Sequence, residues 1–363
     1  MKKNIPVLMA ALLAISTSQG LELSAKGHDG LNLKGDLRLR LQQEKKESTE
    51  SRLRHRIRFR LGGHKNVTDK TTVKFGVATG GNDNRSTNQT LEKTFQTPDL
   101  RLDYAYVQHK VNDAFTVFGG KMKNPLYRSS DLLWDSDINP DGYAVRYKAE
   151  IDTIKVFING GLFTFDELKS NTEDPSIIAI QPGVKWRVNE NTKAKAALGV
   201  YLSQNFKGYA FSEGATTAGT NSLVNGAYDK EFASIALSSQ VDFKNVMGLE
   251  LVRPFGEVVI NTNRDDANTG GIAGVAFGDK KVKGFGKWQS KISYRAIGAD
   301  AWFDSFPDSD AYGGATGVKG FEFIFNYGLS KKTALGLDFY SMSNINGTED
   351  AQSLVQVDLN VKF

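Results

Sequence analysis

Residues 51–61 read Ser-Arg-Leu-Arg-His-Arg-Ile-Arg-Phe-Arg-Leu, with arginine at every second position: Arg52, Arg54, Arg56, Arg58 and Arg60. A strand sends alternate side chains to opposite faces, so one face of this segment is cationic and the other carries Leu53, Ile57, Phe59 and Leu61. No helix sorts these residues so cleanly. The run before it repeats the pattern, with Lys34, Arg38 and Arg40 on one face and Leu31, Leu33, Leu37, Leu39 and Leu41 on the other. Two neighbouring strands therefore share an arginine-rich wall backed by leucine. A barrel that crosses a membrane satisfies both faces, because the apolar one meets lipid and the charged one meets water in the lumen. The competing reading for this segment alone is an edge hairpin of a soluble sheet with solvated arginines. The rest of the chain weighs against it.

The N-terminus reads as a secretory signal: Lys2 and Lys3, an apolar core at 7–15, and Ser18-Gln19-Gly20 before a cut after Gly20. That core is too short to span a bilayer, and no later stretch approaches the roughly 18–20 consecutive apolar residues of a transmembrane helix. If the chain enters a membrane, it does so as a barrel. No Pro- or Ser-rich linker or shift of composition divides it, so residues 1–20 are expected to be a signal peptide and 21–363 a single barrel domain. Cysteine is absent, which excludes disulfides, thiolate metal sites and cysteine nucleophiles. The net charge of +5 is small, and acids and bases are interleaved, which argues against a nucleic-acid partner. His28, His55, His64 and His109 have no metal-ligand spacing, and neither a Gly-x-Ser-x-Gly elbow nor a phosphate loop is present. Neither an enzyme nor a cofactor is expected.

Alternation recurs to the end of the chain. Val73, Phe75 and Val77 share one face; so do Leu100, Leu102, Tyr104 and Tyr106, and later Phe321, Phe323, Phe325 and Tyr327. The last strand sets Val355, Val357, Leu359, Val361 and Phe363 against Gln356, Asp358, Asn360 and Lys362. Short turns near 112–113, 152, 189–191 and 330–332 alternate with long polar loops near 80–98, 122–140, 204–230, 262–271, 300–317 and 344–351. The fold class is thus all-β: a transmembrane antiparallel up-and-down barrel of about sixteen strands, wide enough for an aqueous channel. Phe115, Phe118, Tyr143, Tyr147, Trp186, Trp288, Tyr294, Trp302 and Phe303 lie near strand ends and suit a belt at the membrane interfaces.

The loop at 122–140 combines Asp131, Asp135 and Asp137 with Leu132, Leu133, Trp134 and Ile138. A wholly exposed loop has little reason to carry four large apolar residues, whereas one folded against a wall does. The sequence Gly120-Lys121, Asn124-Pro125, and Asp131 through Gly142 resembles the constriction-loop region of the bacterial outer-membrane putative-porin family. The arginine ladder, Trp288-Gln289 with Tyr294-Arg295, Asp308-Ser309-Asp310 before Val318-Lys319-Gly320, and terminal Phe363 resemble that family too. The resemblance covers nearly the whole mature chain.

It implies a passive channel in the bacterial outer membrane, assembled as a homotrimer, with the third long loop narrowing the lumen. It also implies that Phe363 is read by the outer-membrane assembly machinery. Outer-membrane lipid and small hydrophilic solutes or ions are then the remaining partners. From the residues, the expected filter is electrostatic. Arg38, Arg40, Arg52, Arg54, Arg56, Arg58 and Arg60 form the pore wall, and Arg128, Asp131, Trp134, Asp135 and Asp137 form the constriction loop. If the loop acids project toward the ladder, the pore acquires a transverse field, and a cationic wall favours anions. Two alternatives stay open: a substrate-specific channel for phosphate, carboxylates or sugars, and a secreted β-rich adhesin or lectin.

Overall fold

The computed structural model describes residues 30–169, 173–211, 216–345 and 350–363; the expected signal peptide lies outside them. The strands are β1 (Leu31–Lys46), β2 (Arg52–Asn66), β3 (Thr71–Thr79), β4 (Gln89–Thr90), β5 (Leu100–Lys110), β6 (Phe115–Lys121), β7 (Asp141–Ile151), β8 (Ile154–Thr164) and β9 (Ser176–Arg187). They continue as β10 (Thr192–Gln204), β11 (Ala233–Val246), β12 (Leu249–Asn261), β13 (Thr269–Gly278), β14 (Trp288–Ile297), β15 (Val318–Gly328), β16 (Thr333–Asn344) and β17 (Gln352–Lys362). All belong to one sheet. Sixteen of them build the wall; the two-residue β4 lies beside Arg56 and Ile57 of β2, past the end of the β2–β3 pairing.

Every neighbour is antiparallel, and β1 pairs with β2 on one side and β17 on the other, so the wall closes. The closing seam ends on Phe363. Its N–H donates to the Gly35 carbonyl at 3.0 Å, its carbonyl accepts from the Gly35 N–H at 3.1 Å, and its ring stacks on Phe59 with centroids 6.0 Å apart. No helix among the described residues is long and apolar enough to cross a membrane. The crossing elements are the strands.

One rim carries the connections at 67–70, 111–114, 152–153, 188–191, 247–248, 279–287 and 329–332; the other carries 47–51, 80–99, 122–140, 165–175, 205–232, 262–268, 298–317 and 345–351. The loop at 165–175 belongs with the long set although its sequence does not stand out, and 279–287 is long for its rim. Along the outer face, residues such as Leu39, Leu53, Val145, Leu198 and Leu337 are exposed, as a lipid-facing surface requires. The interior is not uniformly polar. Residues 122–140, 205–211, 216–232 and 298–317 enter it and build an apolar core around Trp134, Phe206, Tyr228, Trp302, Phe303 and Phe306. Trp302 and Phe303 are therefore wholly buried inside the barrel rather than in an interfacial belt, and Phe118 also turns inward.

A second departure from simple alternation lies in β5. Its pairing with β3 slips between Gly76 and Val77, leaving Asp103 as an extra residue. A bulge of this kind shifts the face of everything beyond it. Leu100 and Leu102 stay exposed outside, but Tyr104 and Tyr106 turn into the lumen, where Tyr106 packs on Phe118 at 6.5 Å. The Tyr104 ring lies flat over Gly62 and Gly76, and a Cβ at either glycine would overlap it. Gly62→Val should therefore lower stability by about 1–3 kcal/mol through overpacking. Adding Tyr104→Ala should restore most of it, read as the temperature at which the folded band converts to the unfolded band on a gel; a double variant no better than Gly62→Val would reject this contact.

Candidate functional site

The ladder arginines line the interior of β1 and β2, and most are held by carboxylates. Arg40 donates from Nε and Nη2 to Asp358 at 2.7 and 2.8 Å and pairs with Asp310 at 3.2 Å and Asp338 at 3.6 Å. Arg38 donates to Asn88 Oδ1 at 2.6 Å and meets Asp358 at 3.4 Å. Arg54 pairs with Glu44 at 2.7 Å, Arg58 with Asp36 at 2.9 Å, and Arg60 with Asp36 at 3.0 Å and Asp137 at 3.2 Å. Arg56 differs: its donors go to Gln42 at 3.0 Å and to the Asn88 carbonyl at 3.3 Å. Arg52 lies exposed toward the loop rim.

Loop 122–140 leaves β6 and returns to β7 through a neck closed by the Met122 N–H donating to the Pro140 carbonyl at 2.8 Å. Between these ends it crosses the inner wall strand by strand. Tyr127 exchanges two hydrogen bonds with the Gln181 amide on β9, at 2.7 and 2.8 Å, and its hydroxyl reaches Gln240 on β11 at 3.0 Å. Ser129 Oγ donates to the Gly256 carbonyl on β12 at 2.9 Å, Ser130 bonds Glu257, and Asp131 meets Arg295 of β14 at 2.6 Å. Arg128 braces the loop internally by donating to the carbonyls of Trp134 at 3.1 Å and Asp135 at 2.7 Å. Trp134 then stacks on Phe306 at 4.6 Å and meets Trp302 edge-on at 5.5 Å.

The three acids of this loop consequently go to different places. Only Asp137 touches the ladder, through Arg60, while also accepting from Thr87 N–H and Oγ1 at 3.1 and 2.9 Å. Asp131 faces Arg295 and Lys291, and Asp135 accepts the backbone N–H groups of Asp137 at 2.8 Å and Ser309 at 2.9 Å. The expected projection of all three acids toward Arg38, Arg40, Arg54, Arg56 and Arg58 is not what the chain does. The cause is packing: Leu132, Leu133 and Trp134 anchor the loop in the apolar core on the far wall. The ladder is met instead by loop 298–317 through Asp310 and by loop 80–99 through Ser86 and Asn88.

Burial and the neighbouring Asp137 push Asp135 up to about 8, despite the two amides that favour its charged form. Arg60 and Arg58 outweigh burial at Asp137 and hold it below the usual carboxylate range. Asp131, Asp308 and Glu322 bring carboxylate oxygens within 4.8 Å of one another. Arg295 and Lys291 supply the countercharge there, and burial with Asp131 alongside raises Asp308 well above its ordinary value.

Beneath the loops, toward the short-turn rim, two recesses open on the lumen. One, of about 860 Å³, is bordered by Lys34, Asp36, Arg60, Lys74, Asp103 and Tyr104 among others; the second, of about 840 Å³, includes Tyr127, Arg146, Lys148, Phe157, Lys185 and Lys195.

A family model described as "Putative porin" matches residues 36–234 and 223–363. The chain belongs to the putative-porin family. No curated protein matches it in sequence. Among solved structures, it is similar to Pseudomonas putida OprB at high pH, with 12% identity over 92% of this chain and 94% of that chain and a TM-score of 0.61. It is also similar to the outer-membrane channel DcaP of Acinetobacter baumannii, with 16% identity, coverage of 93% and 99%, and a TM-score of 0.54. A loop-L8 deletion mutant of OmpT, an outer-membrane protein of Vibrio cholerae, gives 12% identity, coverage of 92% and 100%, and a TM-score of 0.52. At these identities the likeness is one of fold. Family and fold together make this an outer-membrane channel of the porin type.

Several residues that shape this porin's lumen escape a strict period-two reading. Tyr104 and Tyr106 are hidden by the bulge at Asp103, which leaves no signature beyond the oddly charged position itself. Asp310 and Asn88 meet the ladder only because distant segments converge, although the Asp308-Ser309-Asp310 motif marks one of them, whereas Asp358 lies inside as the alternation of its strand predicts.

Replacing Trp134 with Ala should cost the packed loops about 3–5 kcal/mol, the usual range for a buried large aromatic. Higher single-channel conductance and faster proteolysis within 122–140 are the expected readouts, and unchanged values of both would reject the anchor. Asp135 takes up a proton more readily in the folded loop than in the unfolded chain, so its contribution is fully present below the ordinary carboxylate value near 3.8 and is lost progressively as pH rises to about 8. The unfolding temperature should therefore fall between about pH 5 and pH 8 by more in the wild type than in Asp135→Asn; parallel curves would contradict this.

Proposed function

We propose that this porin is a passive channel for small hydrophilic solutes and ions that prefers anions to cations. In this reading it is exported by residues 1–20, is recognised through Phe363 by the outer-membrane assembly machinery, and works as a homotrimer. The observation that carries the preference is the charge balance of the two recesses. Of the acids bordering them, Asp36, Asp103 and Glu150 are each committed to a cation, which leaves Asp113. Lys34, Lys74, Arg146, Lys148, Lys185 and Lys195, by contrast, have no ion-pair carboxylate among the described residues. A permeating ion crossing this region meets net positive potential, which lowers the barrier for anions.

The ladder contributes differently from a bare cationic wall. Most of its arginines are paired with carboxylates, so they set the lumen's shape and cancel most of their own field. Loop 122–140 narrows the lumen from the β9–β14 side.

Replacing Arg54, Arg56 and Arg58 with Ser leaves Glu44 without its arginine and Asp36 with only Arg60, so reversal potentials in asymmetric potassium chloride should move toward cations. Asp131→Asn removes countercharge from Arg295 and Lys291 and should move them toward anions. Unchanged potentials in both folded variants would sink the selectivity reading. Native mass spectrometry in mild detergent tests the assembly, and a monomer at every concentration would reject the trimer.

A further inference from the structure

Along the inner wall, Glu150 on β7 stands directly opposite Lys155 on β8, Lys155 opposite Lys185 on β9, and Lys185 opposite Lys195 on β10. Two residues nearer the short-turn rim, Arg187 stands opposite Lys193. Directly opposed residues have Cβ atoms about 4.5–5.5 Å apart, and like charges so placed destabilise a sheet. The nearby acids do not relieve the row. Among the described residues Glu150 bonds only Lys155, at 2.7 Å, and Asp242, opposite Lys193, is taken by Arg253 through bonds of 2.6 and 2.9 Å. Lys185 and Lys195 are left facing each other without an ion-pair carboxylate among the described residues.

The recess opens on the lumen, but its walls are organised. The row borders the recess of about 840 Å³, within the range of roughly 300–1,000 Å³ typical of small-molecule sites. Above it the Arg146 guanidinium is fixed by Nε donating to Asn159 Oδ1 at 3.3 Å and Nη2 to the Pro125 carbonyl at 3.1 Å. Lys148 lies on the same strand face. The Lys195 ammonium rests 3.6 Å from the centre of the Tyr127 ring and 5.2 Å from that of Phe157, so aromatic faces stand where a counter-ion would. Cations are thus arrayed in two tiers, with an aromatic surface between them.

We propose that this recess binds a small organic polyanion carrying two or more carboxylate or phosphate groups. One group bridges Lys185 and Lys195, a second meets Arg146 and Lys148, and the carbon skeleton lies on Tyr127 and Phe157. A single monovalent anion neutralises only one tier, whereas a polyanion spans both, and charge-assisted contacts at each end strengthen the hold. Because Tyr127 and Pro125 belong to loop 122–140, the occupant is seated against the narrowing itself. The proposal deepens the channel reading, on which it rests for the route the anion takes to the site.

The test is calorimetric titration of citrate into the purified full-length protein in detergent at low salt. The wild type should bind citrate saturably, with affinity falling as salt rises. Lys185→Gln with Lys195→Gln should weaken binding by roughly tenfold or more, whereas Lys331→Gln with Lys332→Gln, the same charge loss on an exposed turn, should leave it unchanged. Citrate should raise the unfolding temperature of the wild type, and the Lys185/Lys195 double variant should be the more heat-stable protein when no polyanion is present, a gain that also checks its folding. No saturable citrate binding by the wild type, or equal binding by the Lys185/Lys195 variant, overturns the site. Planar-bilayer recording separates this from the channel reading: current that flows but is never interrupted by citrate removes the site and keeps the channel, whereas absence of current removes the channel and leaves the titration to decide the site.

Discussion

The closed ladder of backbone hydrogen bonds is what everything else in this protein depends on. Hydrocarbon offers no partner to a peptide N–H or C=O, so a sheet in lipid must have no free edge. β17 meets β1 and the last residue bonds Gly35, which completes the ring. Once the ring is closed, each residue has only two directions available, and chemistry sorts itself between lipid and lumen. The arginines of β2 can line the interior because the leucines between them have an apolar medium to face.

Inside that ring, charge is handled by pairing more than by solvation. Cross-strand neighbours Arg58 and Arg38, or Arg56 and Arg40, would repel if bare. Asp36, Asp310 and Asp358 come from three separate parts of the chain to separate them. Loops 80–99 and 298–317 are thereby tied to the ladder wall by polar contacts, while 122–140 is held across the other wall by hydrogen bonds and by the apolar core it shares with 298–317. The row of lysines on β8 to β10 stands apart because no loop acid among the described residues pairs with it.

The fold was legible in the sequence because the constraint that makes it is local: period-two alternation follows directly from strand geometry, and lipid requires it over many strands. The same logic limited what could be seen of the site. Parity places Arg54 inside, but whether Asp131 or Asp310 stands opposite an arginine depends on how two long loops pack. The apolar residues of 122–140 announced that the loop would find a wall, not which wall. Trp302 and Phe303 resemble interfacial aromatics in sequence because a strand end and a buried loop start look alike there. Tyr104 and Tyr106 changed sides because one inserted residue, Asp103, reverses the parity of its strand.

The walk of loop 122–140 across β9, β11, β12 and β14 has a mechanical consequence. A cylinder one strand thick resists stretching around its circumference but flattens easily, since bending it breaks no hydrogen bond. A packed segment rooted between β6 and β7 and fastened on the opposite arc works as a bulkhead, coupling distant staves so that the cross-section cannot become oval without tearing Trp134 from its aromatic neighbours. The bore of this tube is then insulated from lateral pressure in the surrounding bilayer.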